Sequence, residues 1–501
     1  VRRWLVTGAE PFTPHPWQRD AIEAYFKLGG VVVWLDPGTG KTYVAAKIAA
    51  RCARPLLVTP APRQALAQFR EYGVPAHLAA GGPGPPGSCA IATYAWLTGK
   101  KQANWVAEYA PSDVLLDEFH RARGLGHSAR RRVEAYLEAN PAVRVAVFTG
   151  SPSMSGRLHD FAYGLTWALR SRARGLVPQL RSGLDALEAH FEAAGPSARG
   201  AFRARLAATP GVFLDVGGVG SYDGEVHIRL LRPPGGPVAE LPDTWELPGG
   251  DGVLIESAAH AAEVDRQLAW GYYLETRPRP SQRYREARQR WGRVVRRVVL
   301  SGLDGVHTEA QVRDVEPEEY ARWLRAQEVE GPVPDPVPVW LPGAATGPLA
   351  WATSLAAGTT PTLVWARHRA LQEAAAEALD APLHRSLCRA ASGQLPTDHG
   401  QTAVLSVDSC SEAYNFQTHY WRNLILEPSA DPEEFKQLVG RTARQGQKHP
   451  YVDADVVVNG KGAARALHTA IERAMLVQQL TGKSNPLLSP NVAKQLEEFQ
   501  S

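Results

Sequence analysis

Long apolar runs are missing from this 501-residue chain. None approaches the roughly 18–20 residues that a membrane helix needs. The longest, such as 31-VVVWL-35, have the length of a strand. The opening VRRWLVTGAE carries charge but no apolar centre, so it reads as no secretory signal, and the expected location is cytoplasmic. Cysteine is scarce: Cys52, Cys89, Cys388 and Cys410 stand singly, with no C-x-x-C pair and no Cys/His grouping at zinc spacing. That pattern reads as isolated reduced thiols, not as a disulfide scaffold or a zinc module. Methionine and lysine are also sparse beside abundant Ala, Gly, Pro and Arg. A GC-rich genome yields the same bias, so arginine abundance alone says little about nucleic acid. Neither sign of charge dominates, with 55 basic against 51 acidic residues. The net +4 permits contact with phosphates without demanding it. There is no internal repeat at a 20–50 residue period, which excludes a solenoid. With 44% hydrophobic and 21% charged residues, the chain is not a disordered one.

What is present is alternation. Short apolar runs at 31-VVVWL-35, 56-LLVT-59, 89-CAIAT-93, 114-VLLD-117 and 145-VAVFT-149 are separated by helix-like stretches such as 42–53. Short buried strands alternating with helices predict a doubly wound parallel sheet. From 156 the pattern turns helical, as in 182–194. A Pro/Gly-rich patch near 225–255 reads as turns and a few antiparallel strands. Residues 257–330 are helical again and rich in Arg and aromatics, and 330-EGPVPDPVPVWLPG-343 reads as an extended linker. Alternation then resumes at 361–366, 402–407, 422–427 and 452–458, which predicts a second, smaller α/β unit. The chain closes on a helix from 462 to 482 and a loose tail.

Two motifs carry chemistry. In 31-VVVWLDPGTGKTYVAAKIAA-50 a strand runs through Gly38, Thr39, Gly40, Lys41 and Thr42 into a helix. Paired glycines let backbone N–H groups close around phosphate oxygens, and the helix N-terminus adds its positive end. Lys41 would reach the β/γ-phosphates and the Thr42 hydroxyl would bind Mg²⁺. The strict phosphate-loop pattern wants glycine where this chain has Leu35, so an ordinary strand-to-helix turn is the alternative. In 113-DVLLDEFHRAR-123 an apolar strand ends in two carboxylates. Asp117 can hold Mg²⁺ through water, Glu118 can deprotonate an attacking water, and His120 could couple the site to a neighbouring domain. Capping of a following helix is the alternative there.

With these residues on the page, the chain resembles superfamily 2 helicases and translocases of the DExH form, 117-DEFH-120. Other segments fall in family order. The stretch 14-PHPWQRDAI-22 looks like the Q-motif region, which implies that Gln18 reads the adenine edge. The stretches 58-VTPAPR-63 and 92-ATYAWL-97 are similar to motifs Ia and Ib, which imply Thr59, Arg63 and Thr93 at nucleic acid. For each of these a simple helix cap is the alternative. The stretch 148-FTGSPS-153 matches motif III. In the second unit 361-PTLVWARHRALQ-372 resembles motif IV, with Arg367 at nucleic acid. The segment 437-QLVGRTARQGQK-448 resembles the Snf2-like motif VI, with Gln437 at the nucleotide, Arg441 facing the phosphates and Arg444 as arginine finger. Motif V departs from the family: 409-SCSEAYNFQTH-419 lacks its glycines, although Asn415 and Gln417 fit, and Asn415 is taken as a nucleic-acid contact. The middle, with 267-QLAWGYYLE-275 and the Arg/Trp-rich stretch after it, resembles the helical insertion of phage-encoded Snf2-like helicases.

The resemblance implies two RecA-like parallel-sheet lobes, at 1–155 and 341–460. Between them lies a mainly helical insertion at 156–340, and a C-terminal helix and tail follow at 461–501. It implies ATP and Mg²⁺ as cofactors, and ATP hydrolysis coupled to movement along nucleic acid. DNA is favoured as the track, RNA is the alternative, and no membrane partner is expected. Strand separation and duplex translocation both stay open. A nucleic-acid-independent ATPase switch that serves a protein partner is a second class. The basic stretch 278–297 fits either phosphate contact or a solvated helix with aromatic anchors.

Overall fold

The computed structural model describes residues 13–35, 38–82, 84–119, 128–150, 158, 161–178, 181–214, 222, 224–241, 258–276, 280–300, 312–313, 315–331, 335–344, 347–384, 401–407, 416–444 and 446–500. The chain is an α/β protein with two parallel sheets, helices around them and a small antiparallel ribbon.

The first sheet holds β1 (Gly30–Trp34), β2 (Pro55–Val58), β3 (Ala76–Leu78), β4 (Cys89–Ala92), β5 (Asp113–Asp117), β6 (Arg144–Thr149) and β7 (Val212–Phe213). Their order is β3-β4-β2-β5-β6-β1-β7, all parallel. Successive strand residues feed opposite faces. Val32, Trp34, Leu56, Val58 and Leu116 enter one core, while Val31, Val33, Leu57 and Leu115 enter the other. A sheet covered on both faces explains why the sequence shows continuous apolar runs and not alternation.

The second sheet holds β8 (Glu225–Leu231), β11 (Thr362–Ala366), β12 (Leu383–His384), β13 (Ala403–Ser406), β14 (Arg422–Ile425) and β15 (Tyr451–Val457), in the order β12-β13-β11-β14-β15-β8. Leu363, Trp365 and Ile425 face one core, and Val364, Ala366 and Leu424 the other. Between β8 and β11 lie β9 (Tyr272–Thr276) and β10 (Pro336–Trp340), paired antiparallel as a two-stranded ribbon.

The segment expected as an insertion over 156–340 is shared out. Its first part belongs with the first sheet: Leu165, Leu169, Phe191, Phe202 and Leu206 enter that core, and β7 pairs with β1. Its strand β8 is the parallel edge of the second sheet, in register with β15 from Tyr451↔Glu225 to Val457↔Leu231. The antiparallel strands expected near 225–255 are therefore replaced by one parallel edge strand over its described part. The Pro-rich stretch at 330–343 contains β10, not only a linker. A strand paired on one side needs N–H donors at alternate positions only, which leaves room for Pro336 and Pro338. The loose tail is also overturned: Pro490–Gln500 is a helix that buries Val492 and Leu496 against the second sheet. Gln495 Oε1 accepts the Leu230 amide at 2.7 Å.

Among the described residues no helix is long and apolar enough to cross a membrane. Cys52 and Cys89 are free and buried.

Candidate active site

The loop after β1 is shaped by two glycines. Gly38 and Gly40 both sit at φ +89°, where side chains are strained. Space is also tight, since a side chain there would have to push aside the end of a neighbouring one. A Cβ on Gly40 would lie 2.3 Å from Gln18 Nε2, and one on Gly38 would lie 2.7 Å from Arg444 Nη2. The loop is thus held between the helix Pro16–Leu28 and an arginine from the far end of the chain. Gly40 then opens the helix Lys41–Ala49. Lys41 is 7% exposed, and its Nζ donates to Leu35 O at 2.7 Å.

Parallel register brings the carboxylates to this loop. Asp117 ends β5, and Thr59 follows Val58 of the adjacent β2. Thr59 Oγ1 donates to Asp117 Oδ2 at 2.9 Å, and Tyr94 Oη donates to Asp117 O at 2.8 Å. Burial and then the neighbouring Glu118 push the Asp117 carboxyl up to about 6, against the opposing pull of Lys41 and Thr59. Glu118 takes a positive φ of 45°, rare for a side chain with a Cβ, and its Oε2 accepts from Gly150 N at 3.5 Å. The sharp turn brings into one cavity two adjacent carboxylates that an extended strand would point to opposite faces.

The second sheet supplies the opposing wall. Pro432–Val439 follows β14 and ends in a turn that carries Arg441 and Arg444. Arg441 is 9% exposed. Burial and then Arg444 beside it push Arg441 down to about 10, with Glu118 pulling the other way, so it stays cationic at neutral pH. Burial lowers Arg444 too. The turn is clamped from beneath. Trp365 Nε1 donates to Asn423 Oδ1 at 3.1 Å, and Asn423 Nδ2 donates to Thr442 Oγ1 at 2.8 Å. Gln447 Nε2 donates to Thr442 O at 3.1 Å.

Gly38, Gly40, Lys41, Thr42, Asp117 and Glu118 from the first unit and Gln437, Arg441 and Arg444 from the second line one cavity of about 270 Å³. Gln64 and Gln68 of the helix Pro62–Glu71, with Tyr72 at its C-terminal cap, extend that lining, and sequence reasoning did not single them out. It also missed Tyr94, Asn423 and Gln447. Of these Asn423 left a signal, a lone amide inside the apolar run 422-RNLILE-427.

The donor set fits a magnesium–nucleotide. Glycine N–H groups and Lys41 suit phosphate, and both glycine sites would be filled by any Cβ. Among the described residues no group of three or more His, Cys, Asp or Glu could hold a metal ion alone. A cation at Asp117 would complete its shell with Thr42, water and phosphate oxygens.

Other predicted residues fall differently. Gln18 is 1% exposed, and its amide is already engaged: Oε1 accepts from His15 N at 2.9 Å and Nε2 donates to Thr39 O at 3.3 Å. It braces the loop, where an adenine-reading role was expected. Thr59 was expected at nucleic acid, but at 1% exposure it serves Asp117 within the cleft. Thr93 caps the helix Tyr94–Thr98, accepting from Trp96 N at 2.9 Å. Arg367 was also expected at nucleic acid, but its Nη2 is held by Glu434 Oε2 at 2.6 Å. Arg63 is exposed. His120 and Asn415 lie outside the described residues.

Fold and site together define an α/β protein of two parallel sheets whose facing surfaces enclose one cleft of glycines, carboxylates and arginines. No family model matches the chain, and no curated protein matches it.

Proposed function

We propose that the chain is an ATP hydrolase of the superfamily 2 type, with two RecA-like lobes, coupling hydrolysis to movement along nucleic acid, with DNA the favoured track. One observation carries this. Lys41, Thr42, Asp117 and Glu118 share a cavity with Arg441 and Arg444, although more than 300 residues of chain separate the two groups.

In this proposal the loop amides at Gly38–Gly40 and Lys41 Nζ hold the phosphates, with Lys41 exchanging Leu35 O for phosphate oxygen. Mg²⁺, held by Thr42 and Asp117, would neutralise charge on the phosphates. Glu118 takes a proton from water at its carboxylate. Arg441 and Arg444 place positive charge across the cleft, where an arginine finger is worth about 10³–10⁵ in rate. Because the arginines belong to the other sheet, nucleotide favours closure of the cleft and its loss favours opening.

A second reading, an ATPase switch serving a protein partner, has one observation in its favour. Thr59 and Arg367, two residues expected at nucleic acid, are engaged inside the protein. The test is steady-state ATP hydrolysis by wild type and Lys41→Ala with no nucleic acid, single-stranded DNA, duplex DNA, forked DNA or RNA. Stimulation by a DNA form, lost in Lys41→Ala, is the expected result. Stimulation by RNA alone would replace the track. A flat response would sink the motor and leave the switch.

A further inference from the structure

The helix Gln282–Leu300 contains seven arginines and one glutamate. Its aromatic residues do not lie among them on the surface. Tyr284 and Trp291 are 7% and 5% exposed and pack with Trp323 of the helix Pro317–Glu330, in a small core separate from those of both sheets. The ribbon β9/β10 leads to this pair of helices and back, with Trp340↔Tyr272 at its base and Pro336↔Thr276 at its far end. The result is an arm.

The root of the arm is fixed to the second sheet. Tyr272 is buried with Val364 and Leu424 in one of that sheet's cores. The helix Ala258–Ala269, just before β9, is tied down at two points. Asn459 Nδ2 donates to Ala269 O at 2.9 Å. Glu263 contacts His368 Nε2, while Glu427, beyond β14, contacts His368 Nδ1. The arm therefore moves with the second sheet.

Arg283, Arg290 and Arg297 recur every seven residues, so they share a stripe of about 21 Å along the helix, with Arg293 beside them. Arg290 and Arg297 are oriented by Glu319 and Glu316 at 2.7–2.8 Å. Arg283 and Arg293 are exposed, and among the described residues neither has an ion-pair partner. One strand of a duplex presents a phosphate every 3.4 Å or so, so about six phosphates match the stripe. Single strands are gripped by exposed aromatic platforms, and here the rings are inside.

We propose that this arginine face is a contact surface for the phosphate backbone of duplex nucleic acid, borne by an arm that is part of the second unit. It deepens the proposed motor by adding a grip that travels with one sheet only. Binding without nucleotide tests it independently of hydrolysis.

The experiment is fluorescence anisotropy of a short labelled DNA duplex, titrated with the full chain across a salt series, for wild type, R283A/R293A and R283K/R293K. Both positions are exposed, so folding should be unaffected. The alanine pair should weaken binding on the order of tenfold at low salt and reduce the log–log salt slope by about 1.8, near 0.9 per lost phosphate contact. The lysine pair should keep the wild-type slope, and hydrolysis without DNA should be unchanged in both. Equal affinity and slope in the alanine pair and wild type would overturn the proposal. So would absence of duplex binding by wild type, or arginine-dependent binding to phosphatidylglycerol vesicles in its place. Failure of the motor has a different signature: hydrolysis that ignores DNA while the arm variants still lose affinity.

Discussion

Raising the pH toward 9 and beyond should loosen the second unit, because His368 is the cation between two carboxylates. Its ring contacts Glu263 on one side and Glu427 on the other, and its amide donates to Glu427 Oε2 at 3.0 Å. The surrounding charges are Arg266, 2.8 Å from Glu263, and the Arg367–Glu434 pair; the ring of buried Tyr272 lies 6.5 Å away. Burial disfavours the imidazolium, but the two carboxylates outweigh it, and His368 is raised from 6.5 to about 9. His368 in turn lowers Glu263 to about 2. A histidine raised on folding holds its proton more tightly in the native state. Its stabilisation is complete below pH 6.5 or so and is lost as the pH climbs through about 9. A gap of about 2.5 pH units corresponds to about 3 kcal/mol. The assay is urea unfolding followed by tryptophan fluorescence at about pH 6 and about pH 9.5, for wild type and His368→Gln. Wild type should lose about 3 kcal/mol between the two. His368→Gln leaves the buried Glu427 carboxylate without its cation, while the half-buried Glu263 keeps Arg266, so it should start about 3–5 kcal/mol lower and lack that pH-dependent loss. Other groups that titrate in this range are common to both proteins, so the difference between them isolates His368. Equal losses in the two proteins would refute the reasoning.

Three further outcomes are expected. Glu118→Gln should lower ATP turnover by about 10²-fold or more while nucleotide binding persists, as read by filter binding; normal turnover would remove Glu118 as the base. Gly40→Ala forces a Cβ at positive φ against Gln18, so nucleotide affinity should fall by about 5- to 30-fold, from roughly 1–2 kcal/mol of backbone strain, and unchanged affinity in calorimetry would contradict the cradle. Asn423→Ala orphans the buried Trp365 Nε1–H and removes one of the bonds that hold Thr442, which should cost about 1–3 kcal/mol in urea unfolding and reduce turnover as well; a cost under about 0.5 kcal/mol would show that Asn423 does not hold the arginine turn.

The strands were legible where the fold buries both faces of a sheet, because there composition and local structure coincide. β3 was not, since its three residues are only partly buried and leave no apolar run. β8 was expected only among antiparallel strands near 225–255, and its parallel pairing was not legible because its partner lies more than 200 positions later. β10 hid behind its prolines. At the site, local motif pointed to Lys41 and Asp117 and the family resemblance pointed to Arg444, and the fold brings all three to one cavity. The internal partners of Gln18 and Thr59 were not legible, because an amide or hydroxyl can serve a ligand, a backbone group or a neighbouring side chain, and the sequence does not show which lies near. The basic stretch offered two readings, and packing divides it between them: aromatics inside, several arginines outside.

The edge position of β8 also bears on how the chain is made. The first sheet can be complete once residue 213 has left the ribosome. β8 then emerges almost at once, but Arg229 must wait for Asp455, 226 residues on. At bacterial or eukaryotic synthesis rates of about 5–20 residues per second that wait is roughly 10–45 s. Throughout it β8 is a seven-residue strand with both edges open, the kind of segment that pairs with whatever strand is near. Glu225, His227 and Arg229 place a charged or titratable side chain at every second position on one of its faces. Two of these residues, His227 and Arg229, later pair with Asp453 and Asp455 of β15, and before then exposed charge of this kind disfavours pairing with a stray strand.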